Sequence, residues 1–343
     1  MKVLIKQTIM LYCNGIVPVR TAIKLRGMFV RSMSKVKVCA IIVFGIFLFS
    51  VLLSTSCTLK EVAPVQAPSV VQPPVQPPPK PARIALVLGA GSSKGFAHIG
   101  VLKILESNKI PIHMIIGTSV GSAVGSLYAY GIDAFLLQKL AISVNQSDIV
   151  DPLVIPSNGF IKGEKIEEFI NKWVKNTSME KLKIPFYAVA TDLEKGQEVI
   201  FAKGNTGTAV RASCSIPGIF RPVKISDRSY VDGGVVSPVG VEAARRQGAD
   251  VVIAVDVSSG AERTVPEGTI ETILQSINVM YSKLGAIQLT KADVVIKPKV
   301  GHIGSADFSR KHEAILEGEK AAIEVLPQIT AIITQLRQEG RLE

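Results

Sequence analysis

The stretch that decides the fold is Ile115-Ile116-Gly117-Thr118-Ser119-Val120-Gly121-Ser122-Ala123-Val124-Gly125. Its apolar run stops at Gly117, and a serine follows two residues later among glycine, serine and alanine. The run "IHMIIG", 112–117, has the composition of a short buried strand, and "SAVGSLYAYG" that of a helix. A serine at such a strand-to-helix junction, with neighbours small enough for a sharp turn, has the form of a nucleophile elbow. The same residues also describe a tightly packed turn with no chemistry, and the motif alone does not separate the two.

Upstream, "IALVLGAG" (84–91) has the pattern of a buried parallel strand running into glycines, and "KGFAHIGVLKILESN" follows with helical spacing. The loop between them holds a second G-x-S-x-G, Gly91-Ser92-Ser93-Lys94-Gly95. Ser93 lies inside a longer glycine loop, four residues past Gly89, whereas Ser119 follows its strand directly; the elbow is therefore assigned to Ser119. A dinucleotide fingerprint in the glycine loop would require an acidic residue near the end of the second strand to hold a ribose, and "IPIHMIIGT" contains none. The other use of such a loop is to aim backbone N–H groups at a developing oxyanion.

Downstream, "IDAFLLQKLAISV" and "GEKIEEFINKWVKN" (163–176) have helical spacing. "PFYAVATDL" and "GQEVIFAKG" form adjacent strands, and "GADVVIAVDVSS" (248–259) a late buried strand behind the helical "GVEAARRQ". Alternation of this kind predicts a layered α/β domain with a mostly parallel sheet. A C-terminal helix is expected from Arg310 to about Gln338, interrupted near Pro327.

A serine nucleophile needs a base. The four histidines are His98, within the first helix, His113, in the second strand, and His302 and His312 near the C-terminus. His302 has the chain order of a triad histidine. Against it stands "SYVDGGVVSP" (229–238), where Asp232 closes a short strand and Gly233 and Gly234 let the backbone turn; an ordinary Asp-Gly turn has the same sequence.

The chain has 343 residues and a formal net charge of +11. Residues 1–56 carry eight Lys/Arg and no acidic residue; the rest carries 31 basic and 28 acidic side chains. The basicity belongs to the leader and argues against nucleic acid as a partner. Within the leader, Lys35 and Lys37 precede the apolar run 38–53, and Ser54-Thr55-Ser56-Cys57 follows. This is the order of an export signal, with ordinary proportions if translation starts at Met33 rather than Met1. It resembles a bacterial lipoprotein signal in which Cys57 is lipidated; an uncleaved anchor or an ordinary signal peptide are the alternatives. Eight prolines in residues 61–81 make a semi-rigid polyproline spacer. Cys13, Cys39, Cys57 and Cys214 show neither a metal-ligand spacing nor a disulfide framework.

Three motifs now stand in order: the glycine loop with Lys94-Gly95, the elbow at Ser119, and Asp232-Gly233-Gly234. With "KGFAHIGVL", "GTSVGS", "ASCSIPGIFRPV", "YVDGGVVSPV" and "GADVVIAVDV", they resemble the patatin-like phospholipase family, and most its bacterial branch, over roughly residues 83–325. The resemblance implies a three-layer α/β/α sandwich that hydrolyses acyl esters of lipids with a Ser-Asp dyad and neither metal nor cofactor. Carried onto this chain, Ser119 is the nucleophile and Asp232 the base. The oxyanion hole comes from the loop of Gly89, Gly91, Ser92 and Gly95, centred on Gly91 and Ser92. Gly117, Gly121, Gly233 and Gly234 support the motifs. The family often has glycine where this chain has Ala90 and Ser92.

The organisation expected is a leader (1–56), a Pro-rich tether (57–82), a catalytic domain (83–325, motif core about 85–247) and a C-terminal helical tail (326–343). The partners expected are a lipid or acyl-ester substrate and, through lipidated Cys57, a membrane. Thr58 after the cysteine resembles outer-membrane lipoproteins that face the periplasm; an inner-membrane anchor is the alternative.

Overall fold

The computed structural model describes residues 79–152, 159–258 and 268–343. The leader, most of the tether and Cys57 lie outside the described residues. Among those described, no helix is long and apolar enough to cross a membrane.

The chain forms the strands β1 (Ile84–Leu88), β2 (Met114–Thr118), β3 (Phe186–Asp192), β4 (Gln197–Phe201), β5 (Val223–Ile225), β6 (Arg228–Asp232), β7 (Val251–Val255) and β8 (Val294–Ile296). Its helices are α1 (Phe96–Ser107), α2 (Val120–Tyr130), α3 (Ala134–Ser143), α4 (Gln146–Ile149), α5 (Glu164–Trp173), α6 (Thr206–Ser213), α7 (Val241–Arg246), α8 (Thr269–Leu289) and α9 (Lys311–Gln338). The strands join in the order β5-β6-β3-β2-β1-β7-β8, with β4 also paired to β3. β3, β2, β1, β7 and β8 run parallel, and β4, β6 and β5 form an antiparallel flank.

β1, β2 and β7 are buried at every position, because helices cover both faces of the sheet. On one face Leu86, Leu88, Ile115 and Ile253 pack with α1, α2, α3, α5 and α9. On the other, Ala85, Val87, Ile116 and Ala254 meet α7 and Leu289 at the end of α8. This is the expected α/β/α layering around a mostly parallel sheet.

α1 and α9 approach closely because each turns a glycine to the other: a Cβ on Gly100 would lie 1.9 Å from the Ile315 carbonyl, and one on Gly318 2.0 Å from that of Ala97. The expected break at Pro327 is corrected by the structure. α9 runs through Pro327 to Gln338, held by burial of Ile329, Ile333 and Leu336 in the same core. That packing outweighs the hydrogen bond a proline removes.

The register of the sheet positions the site. β1 pairs with β2 so that Leu88 stands beside Gly117, and the glycine loop and the elbow leave neighbouring strands at their carboxyl ends. On β3, residues 188–192 pair with β4 along one edge. Along the other edge Val189 pairs with Thr118 of β2, and the next residue, Ala190, with Asp232 of β6.

Candidate active site

Ser119 is the N-cap of α2 with φ 54° and ψ −128°, a left-handed backbone that a non-glycine residue adopts under strain. The surroundings hold it there. Its N–H donates to Ser213 Oγ at 2.9 Å, and Ser213 in turn donates to the Val189 carbonyl of β3 at 2.6 Å. The Ser119 carbonyl accepts from Ser122 Oγ at 2.6 Å and from Ser122 N at 2.8 Å. Small neighbours make the turn possible, since a Cβ on Gly117 would meet Ser122 Cα at 2.4 Å and one on Gly121 the Leu88 carbonyl at 2.1 Å.

Ser119 Oγ donates to Asp232 Oδ2 at 2.5 Å, and both side chains are buried. The other carboxylate oxygen, Oδ1, accepts from Gly234 N at 2.7 Å. The Asp232 backbone is fixed at both ends, its N–H donating to Ser215 O at 2.8 Å and its carbonyl accepting from Thr191 Oγ1 at 2.9 Å. Burial pushes the Asp232 carboxyl up to about 6, against the pull of the donors Ser119 and Gly234 and of nearby Tyr281. The group is therefore a stronger base than an exposed aspartate and still ionises near neutral pH.

The glycine loop faces this pair. Gly91 and Ser92, the latter at φ 51°, present backbone N–H groups that take no protein acceptor among the described residues. Gly89 differs from the expectation. Its N–H donates to Val255 O at 3.0 Å, so it joins the loop to the sheet and offers no donor to an oxyanion. Gly95 allows close approach, since a Cβ there would lie 2.3 Å from the Val120 side chain. The loop is tied down by Ser93, whose N–H donates to Ser305 O and whose Oγ donates to Gly304 O at 2.6 Å. Val120 opens α2, so its N–H has no partner within the helix, and the positive end of the helix points to the same place.

His98, His113 and His302 are engaged elsewhere. His98 is fully buried, its Nε2 bonded to Gly89 O at 2.9 Å, and burial lowers it to about 4, so it is a neutral brace beneath the loop. His113 Nδ1 accepts from Ile84 N at 3.0 Å. His302 pairs with Glu313 at 2.6 Å on an exposed surface. Among the described residues, no group of three or more His, Cys, Asp or Glu side chains is placed to hold a metal ion.

Beside Ser119 opens a cavity of about 260 Å³ whose walls include Ile99, Leu127, Leu140, Ile170, Phe220 and Phe308. Its lining is almost wholly apolar, with Ser119 and Ser92 among the few polar groups. Such a chamber has the size and the apolar lining to take a hydrocarbon chain, with Ser119 in its wall.

Sequence reasoning missed Ser213, Thr191 and the whole of α8, which supplies Tyr281, Asn278 and Gln288 to the site's surroundings. The spacing Ile277, Tyr281, Gly285, Leu289 marks a helix with one buried face and was the available signal. Ser213 sits in the quoted "ASCSIPGIFRPV", but nothing local in that segment reports a hydrogen bond to a strand some two dozen residues away.

Comparison with known proteins finds similar chains. Residues 86–245 match the family model described as patatin-like phospholipase, the family that the motifs resemble. An NTE family protein of Mycobacterium tuberculosis, itself uncharacterised, is 34% identical over 209 residues, which is 60% of this chain and 57% of that protein. Lysophospholipase NTE1 of Pyricularia oryzae is 28% identical over 293 residues, covering 76% of this chain and 19% of its own length. The chain thus spans little more than half of the first relative and about a fifth of the second. Among solved structures, VipD from Legionella pneumophila superimposes with a TM-score of 0.41 at 14% identity, over 73% of this chain and 67% of that one.

Proposed function

We propose that this protein hydrolyses acyl esters of lipids by two-step acyl transfer, with Ser119 as nucleophile and Asp232 as its base. The observation that carries the reading is the 2.5 Å contact from Ser119 Oγ to Asp232 Oδ2, with Ser119 in the wall of an apolar cavity. The patatin-like match over residues 86–245 and the similarity to a lysophospholipase support the same reaction class.

In the first step Asp232 accepts the Ser119 proton as Oγ bonds to the ester carbonyl carbon. The developing oxyanion falls to the N–H groups of Gly91 and Ser92 and the N-terminus of α2; one such donor is worth about 3–4 kcal/mol where it has been removed. The C–O bond to the alcohol breaks, and the alcohol leaves with the proton held by Asp232. In the second step water gives a proton to Asp232 and adds to the acyl carbon. The bond to Oγ then breaks, the proton returns to Ser119, and the fatty acid departs. The acyl chain lies in the apolar cavity throughout, so burial of its methylenes holds the carbonyl at the serine.

Labelling with a fluorescent fluorophosphonate, with Ser119→Ala as control, tests this reading. Covalent labelling of the wild type alone is expected; labelling of Ser119→Ala to the same extent overturns the assignment. Membrane attachment through lipidated Cys57 is a separate proposal, supported by the order of basic, apolar and small residues before that cysteine. If Cys57→Ala is processed and fractionates like the wild type, the proposal fails.

A further inference from the structure

Tyr281 lies midway along α8, and its hydroxyl is buried without a hydrogen bond of normal length and angle. Buried hydroxyls are rarely left so, and one in a native protein calls for a reason. The phenol packs onto the Asp232 turn: a Cβ on Gly234 would lie 2.3 Å from Tyr281 Cζ. Its hydroxyl is near enough to the Asp232 carboxylate for each to shift the other's protonation. The ring belongs to the same apolar cluster as Ala90 of the glycine loop.

We propose that Tyr281 is a positioning residue whose hydroxyl is a donor held for Asp232, engaged when Ser119 Oγ leaves the carboxylate to form the acyl-enzyme. The inference rests on the acyl-transfer reading above. In the resting site Oδ2 accepts from Ser119 and Oδ1 from Gly234 N. Once Ser119 is esterified, Oγ carries no proton and Oδ2 loses its donor. A buried carboxylate left with one donor takes up a proton more readily, and a protonated Asp232 cannot activate the water of the second step. A phenol already against the turn replaces the lost donor with a small movement and keeps its own proton. Burial and the facing Asp232 charge hold that phenol well above the usual tyrosine range, so it remains a donor wherever the enzyme is active.

The helix is braced on both sides of Tyr281. Asn278 donates to Ser305 Oγ at 2.5 Å, and the Ser305 carbonyl accepts from Ser93 of the glycine loop. Gln288 accepts from Val239 N at 3.0 Å, beyond the Asp232 turn. The titratable groups facing Asp232 are Tyr281 from α8 and Cys214 from the end of α6, whose thiol is pushed up by burial and stays neutral. β3 contributes Asp192, which pairs with Tyr230 two register positions along β6 and accepts from Glu194 N and Lys195 N.

The test needs no turnover. Ser119→Ala removes the same donor that acylation removes. The Asp232 carboxyl is titrated by infrared spectroscopy, its band identified by its absence in Asp232→Asn. In the Ser119→Ala background, Tyr281→Phe is expected to raise the midpoint by about one pH unit, a tenfold change in proton affinity. With Ser119 present the same substitution is expected to raise it by much less. Equal shifts in both backgrounds, or none in either, make Tyr281 a packing residue and overturn the proposal. Should Tyr281→Phe not fold, 3-fluorotyrosine at position 281, a stronger donor of nearly the same shape, is expected to lower the midpoint in the Ser119→Ala background; an unmoved midpoint overturns the proposal equally. Rapid-mixing kinetics with a p-nitrophenyl ester separate the two readings. Tyr281→Phe is expected to slow deacylation about tenfold near pH 6 while acylation stays within about twofold. A wild type that forms no acyl-enzyme refutes the acyl-transfer reading, whereas a normal acyl-enzyme with unchanged deacylation in Tyr281→Phe refutes only the role of Tyr281.

Discussion

Thr118 and Asp232 occupy consecutive places along one edge of β3, paired with Val189 and Ala190. Since Ser119 follows Thr118, the Ser119 and Asp232 side chains meet because two strands from distant parts of the chain both end on the same template. Loops do not set the distance. A change that displaces β6 from β3 should therefore damage activity before it damages the fold. A Cβ on Gly233 would lie 2.2 Å from the Val189 carbonyl. Gly233→Ala is expected to lower kcat/KM by roughly a hundredfold or more and to cost about 1–3 kcal/mol from overpacking. Ester hydrolysis measured beside a denaturant titration checks both; a variant with lost stability and intact kcat/KM would show that β3 does not set the geometry.

The identity of the base gives the next expectation. Asp232→Asn should lose about two to four orders of magnitude in kcat/KM, the usual contribution of a positioned base. His302→Ala should stay within about twofold, because His302 is held by Glu313 and not by the serine. A large loss at His302 with Asp232→Asn active would return the mechanism to a histidine triad.

The raised Asp232 carboxyl has consequences of opposite sign for activity and stability. Activity needs the ionised form, so kcat/KM should rise with pH through an apparent value near 6 and then level off. For stability, the unfolded carboxyl releases its proton near 3.8 while the folded one keeps it to about 6. The folded state binds more protons across that window, so this group's contribution to stability falls as pH rises from about 4 to 6 and stays low above. Asp232→Asn removes the ionisation and should be more stable than the wild type at pH 8, by on the order of 1–3 kcal/mol, with the difference vanishing below about pH 4. Thermal midpoints of both proteins across that range test the sign.

Ser119 and Asp232, which the structure brings together, were legible in the sequence because the turns that hold them impose local composition. A serine on a strained turn needs Gly117 and Gly121 beside it, and an aspartate pressed against β3 needs Gly233 and Gly234. The central strands announced themselves as apolar runs because helices cover both faces. The donor set was less legible. Nothing near Gly89 distinguishes an N–H taken by Val255 from one left free, since the acceptor lies on a strand more than 160 residues away. Ser213, which ties the elbow to β3, and Tyr281, which abuts the base, act through contacts that no window of sequence contains. The continuity of α9 through Pro327 depended likewise on the core beneath it, where Ile329 and Ile333 hold the helix in place.

The last expectation concerns the cavity. If it receives the acyl chain, kcat/KM should climb with chain length until the chamber is full. A buried methylene is worth about 0.8 kcal/mol, or roughly fourfold per carbon. Ala141 lies on α3 and forms part of the wall. Ala141→Phe adds a ring to that wall, shortening the chamber without touching Ser119, Asp232 or the glycine loop. The variant should keep wild-type kcat/KM on the acetate ester within about threefold and lose the climb, so that the two proteins diverge by roughly fourfold for each further carbon. Overpacking is expected to cost about 1–3 kcal/mol in stability, so activities are compared well below the thermal midpoint of the variant. Parallel slopes for the two proteins across p-nitrophenyl acetate, butyrate, octanoate and laurate would mean that the chain lies elsewhere, and that the cavity behind Ser119 does not set which lipids are cleaved.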